Sequence, residues 1–303
     1  MLSLSPLTLS ALPALPALRP FFAKASGRIC DDTLGGVFLW RELYHTEYAV
    51  QDDTLFLRSH GQEAEGGVFW CSPMGGDPVR AIETLRRQQP SQPLQLGFVS
   101  EEELALLQSV CPALQAREIP DAEDYLYNAA DLQTLEGHSY AGQRNHIRQF
   151  IRANPDWRFE PITRQNLPAV QALLSRYAAL RQKDALTFQE DERRALEVLQ
   201  DYADYGFVGG AVFSEEDKAV SMALGEVRGD TLYVHIEKAD PLCHGAYQMI
   251  VQQFSQYAAG EGVCFINRED DAGDPGLRRS KLSYKPCRML KKYLVELPAE
   301  DAV

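Results

Sequence analysis

Three apolar stretches stand in a row between Gly206 and Ala239: GFVGGAVFS, KAVSMALGEV and TLYVHIEKA. The links between them, EED and RGD, are short enough for hairpins, so this part of the chain is expected to form an antiparallel meander. The flanking segments define the rest of the unit. DWRFEPIT (156–163) alternates as a strand does, while LPAVQALLSRYAALRQ (167–182) and EDERRALEVLQDYADY (190–205) carry helical periodicity. Downstream, GAYQMIVQQFSQYAAG places Ala246, Met249, Ile250, Phe254, Tyr257 and Ala258 on one helical face, with Gly260 as a C-terminal cap. VCFINRE (263–269) is a short strand. PGLRRSKLS (275–283) is a helix with Asp274 as N-cap and Pro275 at its first position. RMLKKYLVEL (288–297) closes the domain as its final strand. The order is β-α-α-β-β-β-α-β-α-β.

The first half repeats that order. LSLSPLTL (2–9) is a strand, LPALRPFFAKA and TLGGVFLWRELYH are helices, and EYAVQ, TLFLRS and GGVFWCS are three short strands. A helix PVRAIETLRRQ, a strand PLQLGFV, a helix EEELALLQSV and a strand LQAREI complete it. Two copies about 150 residues apart imply a duplication at the size of a domain. The expected fold class is α+β with mixed sheets, in two pseudo-duplicated domains, 1–122 and 123–303. Their join lies within PDAEDYLYNAADLQTLEGHSYAGQ (120–143).

Composition narrows the function classes. A net charge of −13 argues against a general electrostatic grip on nucleic acid or anionic lipid. The six cysteines are scattered without a C-x-x-C pair, which indicates reduced thiols in a cytoplasmic protein. The apolar opening lacks a basic leader region, and Pro13 and Pro16 interrupt it, so it is expected to be strand and helix instead of a signal peptide. No stretch approaches the ~20 apolar residues of a membrane span, and no stable membrane insertion is expected. DDAGDPG has the look of a calcium loop, but the twelfth position from Asp270 is Lys281 where a Glu is required, and no metal is expected. Neither a G-x-S-x-G elbow nor a Walker loop is present.

Two motifs carry chemistry. The loop DPLCHGAYQ (240–248) joins TLYVHIEKA to the following helix; Gly245 lets backbone approach an anion, and Gly245, Ala246 and Tyr247 supply N–H groups. Asn267 ends the next strand and is followed by GLRRSKLSYKP (276–286). Together with the repeated element order, these features resemble the GNAT acyltransferase fold. The closing string resembles the G-L-R-x-x-K-x-x-[F/Y]-x-P signature of the phosphatidylglycerol lysyltransferase C-terminal domain. It matches at Gly276, Leu277, Arg278, Lys281, Tyr284 and Pro286. RNHIRQF (144–150) and EKA (237–239) resemble a soluble bacterial branch of that family, without the flippase portion. The chain departs from the usual GNAT anion loop in having one glycine, with His244 near the basic position.

The resemblance implies direct transfer of an acyl or aminoacyl group to an amine or hydroxyl acceptor. The donor would be acyl-CoA or aminoacyl-tRNA. It would lie between TLYVHIEKA and VCFINRE in the second domain, held by His244, Gly245, Ala246, Asn267, Arg278 and Lys281, the first domain being a degenerate copy. Transfer of this kind needs a base and an acid. Glu237 is the base candidate, on one strand face with His235 and Ala239; a salt bridge to an Arg is the alternative. Tyr284 resembles the tyrosine acid of GNAT enzymes; ordinary core packing is the alternative.

Arg278, Lys281 and Lys285 share a narrow helical sector beside Leu277 and Tyr284, which are expected on the buried edge. Such a stripe suits a phosphate-bearing donor or a solvated face. Arg144, Arg148 and Arg152 form another stripe, for a phosphate or for pairing with acids. Glu269, Asp270 and Asp271 suit recognition of an amine, or capping of the following helix. Arg144, His235, Glu269, Asp270 and Asp271 are therefore the candidates for the substrate side. A non-catalytic GNAT-like binding module is the alternative to an enzyme. Acceptor, choice of donor and oligomeric state stay open at this level.

Overall fold

In the computed structural model, which describes residues 1–8, 15–61, 67–180, 186–214 and 217–299, the chain divides into two units. The first comprises Met1–Asp124, Asp270–Pro275 and Met289–Val303; the second comprises Tyr125–Glu269 and Gly276–Arg288. Leu9, Gln182 and most of the EED link, where expected elements end, lie outside the described residues, as does Pro13.

The first unit runs β1 (Ser5–Pro6), α1 (Leu15–Phe22), α2 (Leu34–Trp40), β2 (Glu47–Gln51), β3 (Thr54–His60), β4 (Val68–Trp70) and β5 (Met74–Gly75). It continues with α3 (Pro78–Arg86), β6 (Leu94–Val99), α4 (Glu101–Val110) and β7 (Gln115–Glu118). Local chemistry starts the helices. Asp77 accepts from the N–H groups of Val79 and Arg80 ahead of Pro78. Ser100 and Glu103 close a capping box on α4.

The second unit runs β8 (Asp124–Asn128), α5 (Ala129–Thr134), α6 (Ala141–Ala153), β9 (Arg158–Pro161), α7 (Leu167–Leu180) and α8 (Leu186–Asp201). The meander follows as β10 (Val208–Phe213), β11 (Ala219–Arg228) and β12 (Thr231–Ala239), antiparallel throughout. Then come α9 (Ala246–Ala258), β13 (Phe265–Asn267), α10 (Pro275–Ser283) and β14 (Arg288–Leu290). Among the described residues the sheet order is β14-β8-β13-β12-β11-β10-β9, with β12 and β13 parallel. The apolar face of α9 is buried as its periodicity requires, through Ala246, Met249, Ile250 and Phe254, while Tyr257 is exposed. The helix ends at Ala258, with the N–H of the capping Ala259 reaching the Ser255 carbonyl, and Gly260 is not a left-handed cap.

The end of the chain differs from expectation. RMLKKYLVEL is two strands. Its first part is β14 in the second sheet, and its last is β15 (Tyr293–Leu297), antiparallel between β6 and β7 in the first. Val295 and Leu297 are buried there among Trp70, Leu85, Leu96 and Val99. Asp124–Asn128, placed in the join by the sequence, is a strand that pairs antiparallel with β13. A division at 122/123 is thus replaced by interleaved units, with residues 270–275 and 289–303 belonging to the first. Strand propensity marks a segment as extended but does not say which open edge it will fill. Among the described residues, no helix is long and apolar enough to cross a membrane.

Candidate functional site

The feature that organises the second unit is an unfinished ladder. β13 pairs with β12 only at Thr231–Phe265, Leu232–Ile266 and Tyr233–Asn267, whereas β12 runs on to Ala239 against β11. The chain turns away after Asn267. This fully buried residue accepts the N–H of Glu269 on its side-chain oxygen at 2.7 Å, and Glu269 takes a left-handed backbone with φ 58°. On its other edge β12 carries a bulge. Leu224 faces Ile236 and Gly225 faces Val234, so His235 is the extra residue. Only glycine fits at 225, because a Cβ there would lie 2.2 Å from the Tyr233 carbonyl oxygen.

Side chains tie β12 to the residues just past β13 where backbone pairing stops. Arg268 donates from Nη2 to Glu237 at 2.6 Å. The guanidinium lies 4.8 Å from the ring centre of Tyr284 and 5.8 Å from that of Tyr127. Burial disfavours its charge, yet the Glu237 carboxylate holds its pKa above the usual value. Arg268 Nη1 and the Tyr284 hydroxyl are both buried with no hydrogen-bond partner among the described residues. Burial pushes the Tyr284 hydroxyl up, with Arg268 pulling against it. The Tyr127 hydroxyl, by contrast, donates to the Lys281 carbonyl at 2.8 Å.

His235 makes the second tie. Its Nδ1 lies 2.7 Å from Glu269 and its Nε2 3.0 Å from Glu226 on β11. Burial opposes protonation, but hydrogen bonds to two carboxylates prevail and raise the imidazole to about 9. Two carboxylates, an imidazolium and the Glu237–Arg268 pair therefore line the place where the strands part. Such a cluster can exchange protons and can present donors to an entering oxygen.

Other expected residues are engaged elsewhere. Lys281 is buried: its ammonium donates to the carbonyls of Arg268 at 2.5 Å and Glu269 at 3.1 Å, and closes the end of β13. Of the edge expected to be buried, Tyr284 is buried and Leu277 is 42% exposed, while the burial of Lys281 takes the middle member out of the expected basic stripe. Arg278 is half-buried on the same helix. Arg144 donates to the carbonyls of Leu135 and Gly137, where α5 ends in a left-handed residue, and acts there as a structural clamp.

Asp270 and Asp271 each accept the N–H two residues on, from Ala272 and Gly273, both at 2.9 Å. These two are turn formers and belong to the first unit. His244 pairs with His146 at 2.9 Å. Gly245 has φ 83°, and a Cβ there would lie 2.5 Å from the His146 carbonyl oxygen, so packing on α6 alone demands glycine. Ala246 is buried and its N–H reaches the Cys243 carbonyl at 3.2 Å.

Arg268, Glu226 and Tyr127 were missed by sequence reasoning. Arg268 was visible as the residue after Asn267 at a strand end; nothing local marks Glu226 or Tyr127. In the first unit the structure adds Lys292, which is 1% exposed. Its ammonium lies 2.5 Å from Asp31, 2.8 Å from Asp124 and 3.3 Å from the Cys30 sulfur.

Two mixed sheets, the repeated element order and a parallel strand pair that parts after three rungs define a tandem GNAT-like protein. More narrowly, the chain belongs to the phosphatidylglycerol lysyltransferase C-terminal family, whose model matches residues 22–296. Its structure is similar to that of a conserved protein of unknown function from Bacteroides thetaiotaomicron, at 29% identity and TM-score 0.86 over 98% of this chain and 100% of that one. The L-PGS of Bacillus licheniformis shares the fold at 14% identity and TM-score 0.66, over 97% and 93%. FemX shares it at 9% identity and TM-score 0.62, over 93% and 95%. An uncharacterized protein of Mycoplasmoides gallisepticum is 22% identical over 175 residues, 57% of this chain, and the match spans 56% of that relative's length. Family membership supports aminoacyl or acyl transfer in general.

Proposed function

We propose that the chain is a cytoplasmic acyl- or aminoacyltransferase whose second unit carries the site, the first being a degenerate copy. The observation that carries the reading is the β12–β13 ladder, which stops at Tyr233–Asn267 beside a buried, partly unsatisfied polar cluster. A donor arm, from a CoA thioester or a charged tRNA, enters where the strands part. Its anionic portion lies toward Gly245 and Ala246 at the start of α9 and toward Arg278 on α10. Tyr284 protonates the leaving group. Glu237 takes the proton of the amine or hydroxyl acceptor once the donor has drawn Arg268 away from it. His235 and Glu269 line the acceptor side.

The test is a titration of purified, folded protein with acyl-CoA and aminoacyl-tRNA, followed by transfer of a labelled acyl group to small amines and alcohols. Saturable binding of one donor, with transfer reduced about 10²-fold or more in Tyr284→Phe, is the expected result. Absence of binding to either donor overturns the reading.

A second reading has its own observation. The Glu237–Arg268 and His235–Glu269 contacts bridge the gap that a donor arm would use. They favour a GNAT-like module that binds a ligand without turnover. Binding that persists in Glu237→Gln and Tyr284→Phe, with no transfer by the unaltered chain, would select it.

A further inference from the structure

Away from the parted strands, one pair of side chains carries chemistry that the proposed transfer leaves unused. His146 lies on α6 and His244 stands two residues before α9. His146 Nδ1 is 2.9 Å from His244 Nε2, with His244 exposed and His146 half-buried. The ring centres are 4.7 Å apart and the planes are inclined by 56°. That is closer than a head-on bond between the two nitrogens would leave the rings, so the nitrogens converge from one side.

The backbone holds this arrangement in place. Gly245, between His244 and α9, packs so closely on α6 that a Cβ would lie 2.5 Å from the His146 carbonyl oxygen and 2.9 Å from the Phe150 Cβ. The two imidazoles are thus borne by segments in direct contact, which is the preorganisation a chelating pair requires.

We propose that His146 and His244 form a binding site for a divalent transition-metal ion of the nickel and copper class. Metal–imidazole bonds of about 2.0–2.1 Å, at the ~90° cis angle of a square or octahedral ion, place two nitrogens about 2.9 Å apart. The observed spacing is 2.9 Å. Imidazole is the preferred neutral ligand of these ions, and a cis pair suits a square or octahedral ion whose other positions hold water or an incoming ligand. Without metal, one ring donates its N–H to the other. When the ion binds, that proton moves to the far nitrogen of the same ring, and both facing nitrogens present lone pairs.

The test is calorimetric titration of the tag-free full chain with nickel chloride and copper chloride, alongside His146→Gln and His244→Gln. Both substitutions lie at partly or fully exposed side chains, so folded variants are expected, and circular dichroism checks this. A single equivalent bound by the unaltered chain, and lost in each variant, is the expected result. Copper-loaded protein should show two imidazole nitrogens in its electron paramagnetic resonance spectrum, falling to one in each variant. Failure of the unaltered chain to take up metal overturns the proposal. So does uptake that persists unchanged in both variants, which would assign the ion to other groups such as the thiols.

Discussion

Two buried charge clusters, one in each unit, look alike in composition and differ in how completely they are satisfied. In the first unit Lys292 is surrounded: Asp31, Asp124 and the Cys30 sulfur all lie within hydrogen-bond reach, and Asp270 stands 3.8 Å away. Burial opposes the ammonium's charge, but Asp124 and Asp31 hold its pKa well above the usual value. In the second unit, among the described residues, Arg268 has one carboxylate partner for a guanidinium with five donors, and Nη1 and the nearby Tyr284 hydroxyl are buried without a hydrogen-bond partner. A saturated cluster reads as a staple that secures β15 in its sheet. A cluster with buried donors to spare reads as a site, because leaving such groups unmet costs about 1–3 kcal/mol each and is seldom kept without use.

The comparison breaks most readily at its strongest member. Lys292→Met should destabilise the first unit by about 3–5 kcal/mol, because it leaves Asp124 buried with no counter-charge. Urea unfolding followed by tryptophan fluorescence measures this, and a loss under 1 kcal/mol would remove the staple interpretation.

The next effect is one of pH. His235 is raised from 6.5 to about 9, so its contribution to stability is fully present below pH 6.5 and is lost as pH rises through about 9. The loss should reach about 3 kcal/mol across that window. In His235→Gln the dependence should flatten, as read from unfolding midpoints at several pH values.

Arg268→Met should cost less than Lys292→Met, about 1–2 kcal/mol, since it strands Glu237 but also removes an unmet donor. Equal losses for the two would show that the clusters are not different in kind. Smallest in stability, and most informative, is Tyr284→Phe. Deleting a buried hydroxyl without a partner should leave stability unchanged or raise it by about 1 kcal/mol, while transfer falls. A hydroxyl that serves only packing would lower stability and spare transfer.

Legibility followed range. Elements set by neighbours in sequence were readable: the β10–β12 meander from its apolar stretches and their short links, the buried face of α9 from its 3.6 period, and the start of α10 from Pro275. Site residues were readable only as types at the right places. Glu237 and Tyr284 do meet, through Arg268, at the end of β13. The inward direction of Lys281 was not readable, because helical geometry gives the sector of a side chain without saying which sector faces the protein. Its ammonium turns inward to two carbonyls freed when β13 ends.

By itself, then, the sequence determined most of the strands and helices, their tandem repetition, and a closing motif specific enough to name a family. Periodicity, turn chemistry and spacing are properties of adjacent residues, and they survive without a partner. Only the tertiary structure decided that β15 leaves its neighbours to fill the gap between β6 and β7, that His235 bulges over Gly225, and that Arg268 spans the parted strands. Each of these depends on which open edge, missing Cβ or buried countercharge a segment meets far along the chain, and burial energy settles that choice only once the core has formed.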